Sequence, residues 1–192
     1  MNSKPAFILI VEPDQVTADK HDQILRQAGY QTKLEHTPDQ AIQCLESHDI
    51  DLMLSNYHLQ HDRDGLELYQ DVKERGHRIP MILITQTSSR ETLIRAIQAG
   101  VCDVVPKTAN YHDYLPSAVQ RALAQVRVKE QLAEVETRFS TIINAAQDAV
   151  LCLDEDGKIT LFNPSAESMF RYTAKEISGQ TVDVILPECQ GR

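Results

Sequence analysis

The sequence predicts an α/β protein whose larger part is a doubly wound, five-stranded parallel β-sheet, and three observations support this fold class. Strand and helix signals alternate five times between about residue 6 and residue 110. Most of the strand signals are uninterrupted apolar runs, which suit parallel strands that are buried on both faces. Helix-capping patterns lie between the runs, so each strand is followed by a helix, as in a doubly wound sheet.

Five segments have the composition of strands. Residues 7–11, 52–54 and 81–84 are continuous apolar runs, and residues 101–105 form a shorter one. Gln31–Glu35 is more polar and alternates between polar and apolar residues, which favours the edge of a sheet over its centre. We therefore expect the apolar runs to be buried and this polar strand to lie outermost.

The first two helices are indicated by the residues that begin or end them. One helix is expected from about residue 15 to residue 28, because Gly29 is a favourable residue just beyond a helix C-terminus. A second is expected to begin at Thr37, an N-cap that is followed by Pro38 in the first turn. Both helices fall in the gaps that the strand pattern leaves.

Two further helices are expected on either side of the fourth strand. One follows Gly65. The other opens with Ser-Ser-Arg-Glu at residues 88–91, which has the pattern of a capping box, and ends near Gly100. With these two helices the alternation of strands and helices is complete.

The residues that follow the predicted strands share one edge of the sheet, where the sites of doubly wound proteins form. This edge collects Glu12, Pro13, Asn56, Thr85 and Lys107. Their side chains offer a carboxylate, an amide, a hydroxyl and an ammonium group. We expect these residues to surround a single crevice.

A long helix is expected after the sheet. Pro116 is best tolerated in a first helical turn, so the helix is expected to start near Tyr114, and neither glycine nor proline follows until Gly157. Apolar residues then recur at alternating spacings of four and three, at Val128, Leu132, Val135, Phe139, Ile142 and Ala146. This heptad spacing favours a parallel coiled-coil connector between two copies of the chain. The alternative is an amphipathic helix that packs on its own domain.

The composition describes a globular protein and excludes several classes. The chain has 192 residues, 42% of them hydrophobic and 24% charged, with a net charge of -9, which argues against nucleic acid or an anionic membrane as a partner. The apolar runs are too short to span a bilayer and the N-terminus lacks a secretory signal, so a cytoplasmic location is expected. The cysteines are far apart and are expected to be reduced packing residues, namely Cys44, Cys102, Cys152 and Cys189.

Leu-Ser-Asn-Tyr-His-Leu at residues 54–59 is followed by Asp-Gly-Leu-Glu-Leu at residues 64–68. This segment resembles the receiver domains of bacterial two-component response regulators, which carry an aspartate at the position of Asn56. The resemblance covers about residues 6–125 and implies a flavodoxin-like fold, in which that aspartate accepts a phosphoryl group. An amide oxygen is a poor nucleophile, so Asn56 is not expected to form an aspartyl-phosphate.

Three more positions depart from the family pattern. Glu12 matches the first of two acids that hold magnesium in the family, but Pro13 replaces the second, and Asp14 lies one position late, where it is expected to cap a helix. Val104 stands where the family places a switch aromatic residue. Thr108 replaces a proline that takes a cis bond in the family, so a trans bond is expected here.

Two positions match the family pattern, but the charge expected for this crevice differs from that of the family. Thr85 and Lys107 match the hydroxyl and the lysine that contact phosphate oxygens in receivers. Lys107 is expected to donate a hydrogen bond to the amide oxygen of Asn56. With the carboxylate of Glu12 opposed by the ammonium group of Lys107, we expect magnesium binding to be weak or absent.

In the last part of the chain, a strand over residues 149–153, a turn at residues 154–157 and a second strand precede Asn163, which opens short helices. This order resembles the start of a PAS domain. The resemblance covers about residues 138–188 and lacks the last three strands of the family, so we expect this segment to be a fragment or to be completed by another subunit. The expected divisions are a receiver-like domain over residues 1–125, a coiled-coil signalling helix over residues 126–146 and a truncated PAS domain over residues 147–192.

The preferred functional hypothesis is a signal-transduction protein whose receiver is not phosphorylated and acts as an interaction or dimerisation module coupled to the PAS segment. The alternatives are a working phosphorelay receiver that uses Asp14, Asp62 or Asp64, and the N-terminal fragment of a PAS-containing kinase or cyclase. Enzyme activity is not expected, because the chain lacks a glycine-rich phosphate loop and a nucleophile elbow. His58 and His61, at the mouth of the crevice, are expected to be solvated loop residues.

The sequence assigns no cofactor and leaves the ligand of the PAS segment open. The last histidine, His112, precedes that segment, which argues against haem ligation by histidine within it. The surroundings of Cys189 do not match the flavin-adduct motif of light-sensing PAS domains. The expected partners are other signalling proteins or a second copy of the chain, bound through the heptad seam.

Overall fold

The computed structural model describes residues 4–60, 63–86 and 89–185. The chain divides into two compact units, Met1–Val128 and Lys129–Arg192, and each unit has a sheet and a hydrophobic core of its own. Among the described residues, no helix is both long enough and apolar enough to cross a membrane. The predicted crevice belongs to the larger unit.

The first unit is built on a parallel five-stranded sheet with the order β2-β1-β3-β4-β5, so the predicted doubly wound fold is confirmed. Its strands are β1 (Phe7–Val11), β2 (Gln31–Glu35), β3 (Leu52–Asn56), β4 (Met81–Thr85) and β5 (Asp103–Pro106). β2 lies at one edge, in keeping with its polar sequence. The apolar strands β1, β3 and β4 lie in the centre, and β5 forms the other edge.

Four helices separate the strands of this unit, namely α1 (Gln15–Gln27), α2 (Pro38–Ser47), α3 (Gly65–Glu74) and α4 (Arg90–Ala99). Each begins with a side chain that accepts a hydrogen bond from a backbone N–H group of its first turn, which satisfies a donor that the helix itself leaves free. The predicted cap at Thr37 is confirmed. Gly29 follows α1 with a φ of 91°, as expected for the residue beyond a helix end.

Two predicted boundaries in this unit are wrong. The cap of α4 is Ser89, whose Oγ accepts from the N–H of Thr92 at 3.0 Å, so Glu91 does not occupy the third position that a capping box requires. Ser88 lies outside the described residues. β5 begins at Asp103 and not at Val101, because the N–H of Val101 is bonded to the carbonyl of Ala96 at the end of α4.

The two faces of the sheet pack against different helices. Alternate strand residues such as Leu9, Met53 and Leu83 are buried beneath α2, α3 and α4. Their neighbours in sequence, such as Ile10 and Leu54, are buried on the opposite face with residues of α1 and of the helix that follows β5. Each fully buried aliphatic side chain contributes roughly 1.5–3 kcal/mol relative to an exposed one. Burial on both faces is the reason why these strands are continuously apolar.

The long helix α5 (Tyr111–Ala145) begins in the first unit and ends in the second. It starts at Tyr111, so the predicted start near Tyr114 is wrong, and Pro116 lies inside the helix. A proline inside a helix costs about 3 kcal/mol, because it has no N–H group for the carbonyl of the preceding turn. Burial of Tyr111, Leu115 and Val119 against the sheet offsets this loss.

The second unit contains a two-stranded antiparallel sheet of β6 (Leu151–Leu153) and β7 (Ile159–Phe162), followed by α6 (Pro164–Phe170), α7 (Ala174–Ile177) and a short 3-10 turn (Val182–Val184). The predicted turn is confirmed, with a hydrogen bond from the N–H of Gly157 to the carbonyl of Asp154 at 3.1 Å. β6 begins at Leu151, two positions later than predicted, because the N–H of Val150 is bonded to Asn163. Cys189 lies outside the described residues.

Candidate functional site

The carboxyl ends of four parallel strands bring the predicted crevice residues together. Glu12 follows β1, Asn56 ends β3, Thr85 ends β4 and Lys107 follows β5. The strand register aligns these ends. Hydrogen bonds link three of the four side chains directly, namely those of Glu12, Asn56 and Lys107. This edge is where the sites of doubly wound sheets form.

The carboxylate of Glu12 is the centre of the crevice and is only 2% exposed. Its Oε2 accepts a hydrogen bond from Nζ of Lys107 at 2.9 Å, and its Oε1 accepts one from Nδ2 of Asn56 at 3.1 Å. The backbone N–H of Asp14 also donates to Oε1, at 3.3 Å. A buried charge is tolerated when it is both paired and hydrogen-bonded, and Glu12 meets both conditions.

The predicted hydrogen bond between Lys107 and the amide oxygen of Asn56 is wrong. Lys107 binds the carboxylate of Glu12 instead, because a full negative charge attracts an ammonium group more strongly than a neutral amide oxygen does. Oδ1 of Asn56 is buried and has no hydrogen-bond partner within the described parts of the chain. A buried acceptor in this condition costs about 1–3 kcal/mol. The crevice is therefore held together by Glu12 and not by residue 56.

Asp14 is turned away from the crevice. Its carboxylate accepts a hydrogen bond from the backbone N–H of Thr17 at 2.8 Å and caps α1, which is the role expected from the sequence. Hydrogen bonds from Thr17 hold the pKa of this exposed carboxyl below its usual value. Pro13, at the position of the family's second acid, offers no side-chain donor or acceptor atom.

The loop after β3 is held at the crevice by a close backbone contact. A Cβ atom at Gly65 would lie 2.5 Å from the carbonyl oxygen of Asn56, so glycine is required for this approach of α3 to the end of β3. The N–H of Gly65 also donates to the carbonyl of Tyr57 at 2.7 Å. The geometry around residue 56 is thus fixed by backbone atoms.

The acidic residues considered as alternative phosphoacceptors have different positions. Oδ1 of Asp64 caps α3, accepting from the N–H groups of Leu66 and Glu67 at 2.9 Å each. Its Oδ2 accepts from Nη2 of Arg95 at 2.8 Å. Asp62 and His61 lie outside the described residues, and His58 is exposed. Asp64 is therefore engaged in structural hydrogen bonds.

Arg95, which the sequence did not single out, links α4 to the rim of the crevice. Besides Asp64, it binds the hydroxyl of Tyr57 at 2.9 Å, and Tyr57 directly follows Asn56 in the chain. The arginine is 43% exposed in its side chain, so the ion pair contributes less than about 1 kcal/mol. Its position in the middle of a helix gave no sequence signal for this contact.

The remaining family positions lie near the end of the sheet. Thr85 is 1% exposed. Val104 is partly buried and packs against the core that α4 covers. The described residues contain no cis peptide bond, so the expected trans bond before Thr108 is confirmed, and the N–H of Thr108 donates to the carbonyl of Pro106 at 2.8 Å.

A cluster of three aromatic side chains joins α1 to the beginning of α5. Nε2 of His21 lies 2.9 Å from the hydroxyl of Tyr111, and the ring of His112 packs on Tyr111 with centroids 3.9 Å apart. Burial, with the positive charge of Lys107 nearby, lowers the pKa of His21 to about 3. Burial, with the negative charge of Glu12, raises the pKa of Tyr111 to about 12. No pattern in the sequence predicted that these residues meet.

The donors at the crevice differ from those that magnesium prefers. Magnesium is usually held by carboxylates, together with waters and phosphate oxygens, in octahedral geometry. Here both oxygens of Glu12 are engaged, and the carboxylate of Asp14 caps a helix. Across residues 4–60, 63–86 and 89–185, no group of three or more His, Cys, Asp or Glu side chains is arranged to hold a metal ion.

The heptad residues of α5 form an exposed apolar row in the part of the helix that follows Leu123, which lies in the core of the first unit. The side chains are exposed by 64% at Val128, 58% at Leu132, 63% at Val135, 52% at Phe139 and 64% at Ile142. Soluble proteins seldom leave so many large apolar residues exposed on one helix face without an interaction partner. This row is a second candidate site, for association with another helix.

Two family models match the chain. The response regulator receiver domain matches residues 8–120, and the PAS fold matches residues 137–190. Among solved structures, a receiver domain protein from Methanospirillum hungatei JF-1 is 26% identical, covers 70% of this chain and 99% of its own, and superposes with a TM-score of 0.53. A receiver domain from Pseudomonas fluorescens Pf-5 gives a TM-score of 0.57 at 24% identity, over 64% of this chain and 97% of its own.

Curated relatives are similar over different lengths. The transcriptional regulatory protein ZraR of Klebsiella oxytoca is 28% identical over 68% of this chain and 29% of its own length. The nitrogen assimilation regulatory protein NtrX of Azorhizobium caulinodans is 28% identical over 96% of this chain and 41% of its own length. The chain thus spans less than half the length of either relative.

Proposed function

The chain belongs to the response regulator receiver family and carries a PAS fold after the receiver, and on this premise we propose that the receiver acts without phosphorylation, as an interaction module coupled to the PAS unit. The single observation that carries the proposal is the state of Glu12. Its carboxylate is neutralised by Lys107 at 2.9 Å and bonded to the amide of Asn56 at 3.1 Å. The groups that would handle a metal ion and phosphate are thereby bound to one another.

The chemistry of the other pocket residues supports the same conclusion. A phosphoryl group is transferred to an aspartate through its carboxylate oxygen, and the amide of Asn56 is a poor nucleophile. Magnesium binding is expected to be weak or absent, because Pro13 supplies no ligand and Glu12 is already paired. The alternative acceptors Asp14 and Asp64 each cap a helix, so using either one would remove a cap that contributes about 1 kcal/mol.

The proposal is tested by incubating the protein with acetyl phosphate and magnesium and measuring its intact mass. We expect the mass of the wild type to stay unchanged. The matched control is the double variant Pro13→Asp/Asn56→Asp, which returns the second acid and the acceptor aspartate and is expected to gain a base-labile phosphoryl group. A base-labile phosphoryl group on the wild-type protein would contradict the proposal, and peptide mapping would then locate the acid that carries it.

The partner that this proposal favours is a second copy of the chain, bound through the exposed row of α5 in a parallel coiled coil. Five large apolar side chains at heptad spacing, each more than half exposed, support this association. Two helices paired in this way would remove most of that apolar surface from water. A rotation or shift of the paired helices is then the means by which one unit affects the other.

The dimer is tested by measuring the molecular mass in solution of the wild type and of the variant Leu132→Glu/Phe139→Glu. We expect a dimer for the wild type and a monomer for the variant. The control Thr137→Glu/Ser140→Glu adds the same two charges at exposed positions outside the heptad row and is expected to remain a dimer. A dimer that persists in Leu132→Glu/Phe139→Glu would show that association does not use this row.

The proposal assigns signalling and not catalysis to the chain, and it assigns protein partners and not nucleic acid. The net charge of -9 disfavours binding to the phosphate backbone. The names of ZraR and NtrX describe regulatory proteins that are more than twice as long as the part matched here.

A further inference from the structure

The junction between β7 and α6 contains an amide side chain that joins four separate segments of the second unit. Asn163 is only 1% exposed. Its Oδ1 accepts hydrogen bonds from the backbone N–H groups of Val150 and Ala166, both at 2.9 Å. Its Nδ2 donates to the carbonyls of Ile143 and Asp148, both at 3.0 Å. These four bonds use the full hydrogen-bonding capacity of an asparagine amide.

One of these bonds is made to the C-terminal end of α5, and the side chain of a neighbouring serine contacts the same region. The carbonyl of Ile143 is one of the last four of α5, which have no N–H partner within the helix. It accepts from the N–H of Ala146, just after the helix, at 3.3 Å and from Nδ2 of Asn163 at 3.0 Å. Oγ of Ser165 donates to the carbonyl of Ala146, directly after the helix, at 2.7 Å. The end of α5 is therefore capped by two side chains from the β7–α6 junction.

We propose that Asn163 and Ser165 form the joint through which the end of α5 and the PAS unit move together. Asn163 holds the carbonyl of Ile143 with one end of its amide, and with the other end it holds Val150, before β6, and Ala166, in α6. A turn or shift of the helix end must therefore either break these bonds or displace β6 and α6. The inference rests on the proposed role of α5 as the signalling helix, but the joint itself does not require a dimer.

The oxygen and nitrogen of the amide have separate tasks, which makes the joint testable. Asn163→Asp keeps an oxygen for Val150 and Ala166 but replaces the donor to Ile143 and Asp148 by a second acceptor. Ser165→Ala removes the bond to Ala146 and leaves Asn163 unchanged.

The matched control is Ser168→Ala. Oγ of Ser168 donates to the carbonyl of Pro164 at 3.0 Å, so its loss removes an equivalent bond within α6 that does not involve α5.

The first measurement is hydrogen exchange of the full chain, followed by mass spectrometry. In Asn163→Asp and in Ser165→Ala we expect exchange in peptides that cover residues 140–148 to become roughly fivefold to tenfold faster, as the loss of one or two hydrogen bonds implies. Exchange over β7 is expected to change much less, and Ser168→Ala is expected to leave residues 140–148 unchanged. Equal acceleration over the whole second unit would overturn the proposal, because it would indicate a general loss of stability.

The second measurement asks whether a change in the helix reaches the PAS unit. Thr141→Gly weakens the last turns of α5 within one chain, because glycine is a poor helix former, and is expected to alter exchange over β6 and α6 in the wild-type background. In the Asn163→Asp/Ser165→Ala background the same substitution is expected to have at least a threefold smaller effect, roughly, because the joint is broken. Equal effects in both backgrounds, or none in either, would refute the joint.

Failure of the proposed dimer is recognised separately from failure of the joint. If Leu132→Glu/Phe139→Glu does not change the mass in solution, the proposed association through α5 fails. The exchange results at residues 140–148 still decide whether Asn163 and Ser165 hold the helix end, because the bonds concerned lie within one chain.

Discussion

Replacing His21 by glutamine should remove much of the sensitivity of the receiver unit to mild acid. His21 is fully buried beneath α5, and burial lowers its pKa from 6.5 to about 3. In the unfolded chain the same imidazole is hydrated and titrates near its ordinary value. His21 is therefore protonated in the unfolded state while it stays neutral in the folded state. The free energy of unfolding falls as the pH drops below about 6.5 and continues to fall towards about pH 3.

The size of this effect follows from the two pKa values. A pH of about 5 lies about 1.5 units below the ordinary pKa of the imidazole, so the unfolded imidazole is almost fully protonated there. Each pH unit corresponds to about 1.4 kcal/mol. Moving from about pH 7.5 to about pH 5 should therefore cost the wild type about 2 kcal/mol through His21 alone. His21→Gln retains an amide that can bond to the hydroxyl of Tyr111 but does not titrate, so it avoids this loss.

The assay is urea unfolding at both pH values, read by pulsed hydrogen exchange in peptides that cover β3 and β4, so that only the first unit is observed. We expect the free energy of unfolding of the wild type to fall by about 2 kcal/mol more than that of His21→Gln. The control His58→Gln removes an exposed histidine and should lose as much stability as the wild type. Equal losses in the wild type and in His21→Gln would refute the reasoning.

Three further outcomes are expected at the crevice. Gly65→Ala should lower the free energy of unfolding by about 1–3 kcal/mol in urea titrations, because the new Cβ would lie 2.5 Å from the carbonyl oxygen of Asn56, and an unchanged value would contradict this contact. Lys107→Met should lower it by about 3 kcal/mol, since it leaves the buried carboxylate of Glu12 without its ion pair, and an unchanged value would argue against this ion pair. Asn56→Asp should lower the temperature of thermal unfolding, because it replaces the amide that donates to the carboxylate of Glu12 by a second carboxylate, and a higher temperature would contradict this interpretation.

The sequence predicted the sheet because its signals are local and agree with one another. The apolar strands are buried on both faces, and their lengths and order leave few other arrangements. The ends of helices and strands were less predictable where tertiary contacts determine them. Pro116 is accommodated inside α5 because Leu115 and Val119 are buried, and β5 begins late because Val101 completes the end of α4. Neither contact is visible in a local pattern.

The members of the crevice were predictable, but their pairing was not. The ends of parallel strands identify Glu12, Asn56 and Lys107 as neighbours without any knowledge of side-chain direction. The hydrogen-bond partner of Lys107 depends on which acceptor carries a charge and on the rotamer of a single side chain. Contacts between distant helices, such as those of Arg95 and His21, leave no periodic signal and require coordinates.

The contact of Gly65 with residue 56 involves only main-chain atoms of that residue, and this has an evolutionary consequence. The identity of the side chain at this position can change while the path of the loop and the start of α3 are preserved. An acid and an amide can therefore replace one another at this position while the backbone around it stays in place. The chemistry of the crevice and the outer shape of the unit can thus evolve separately.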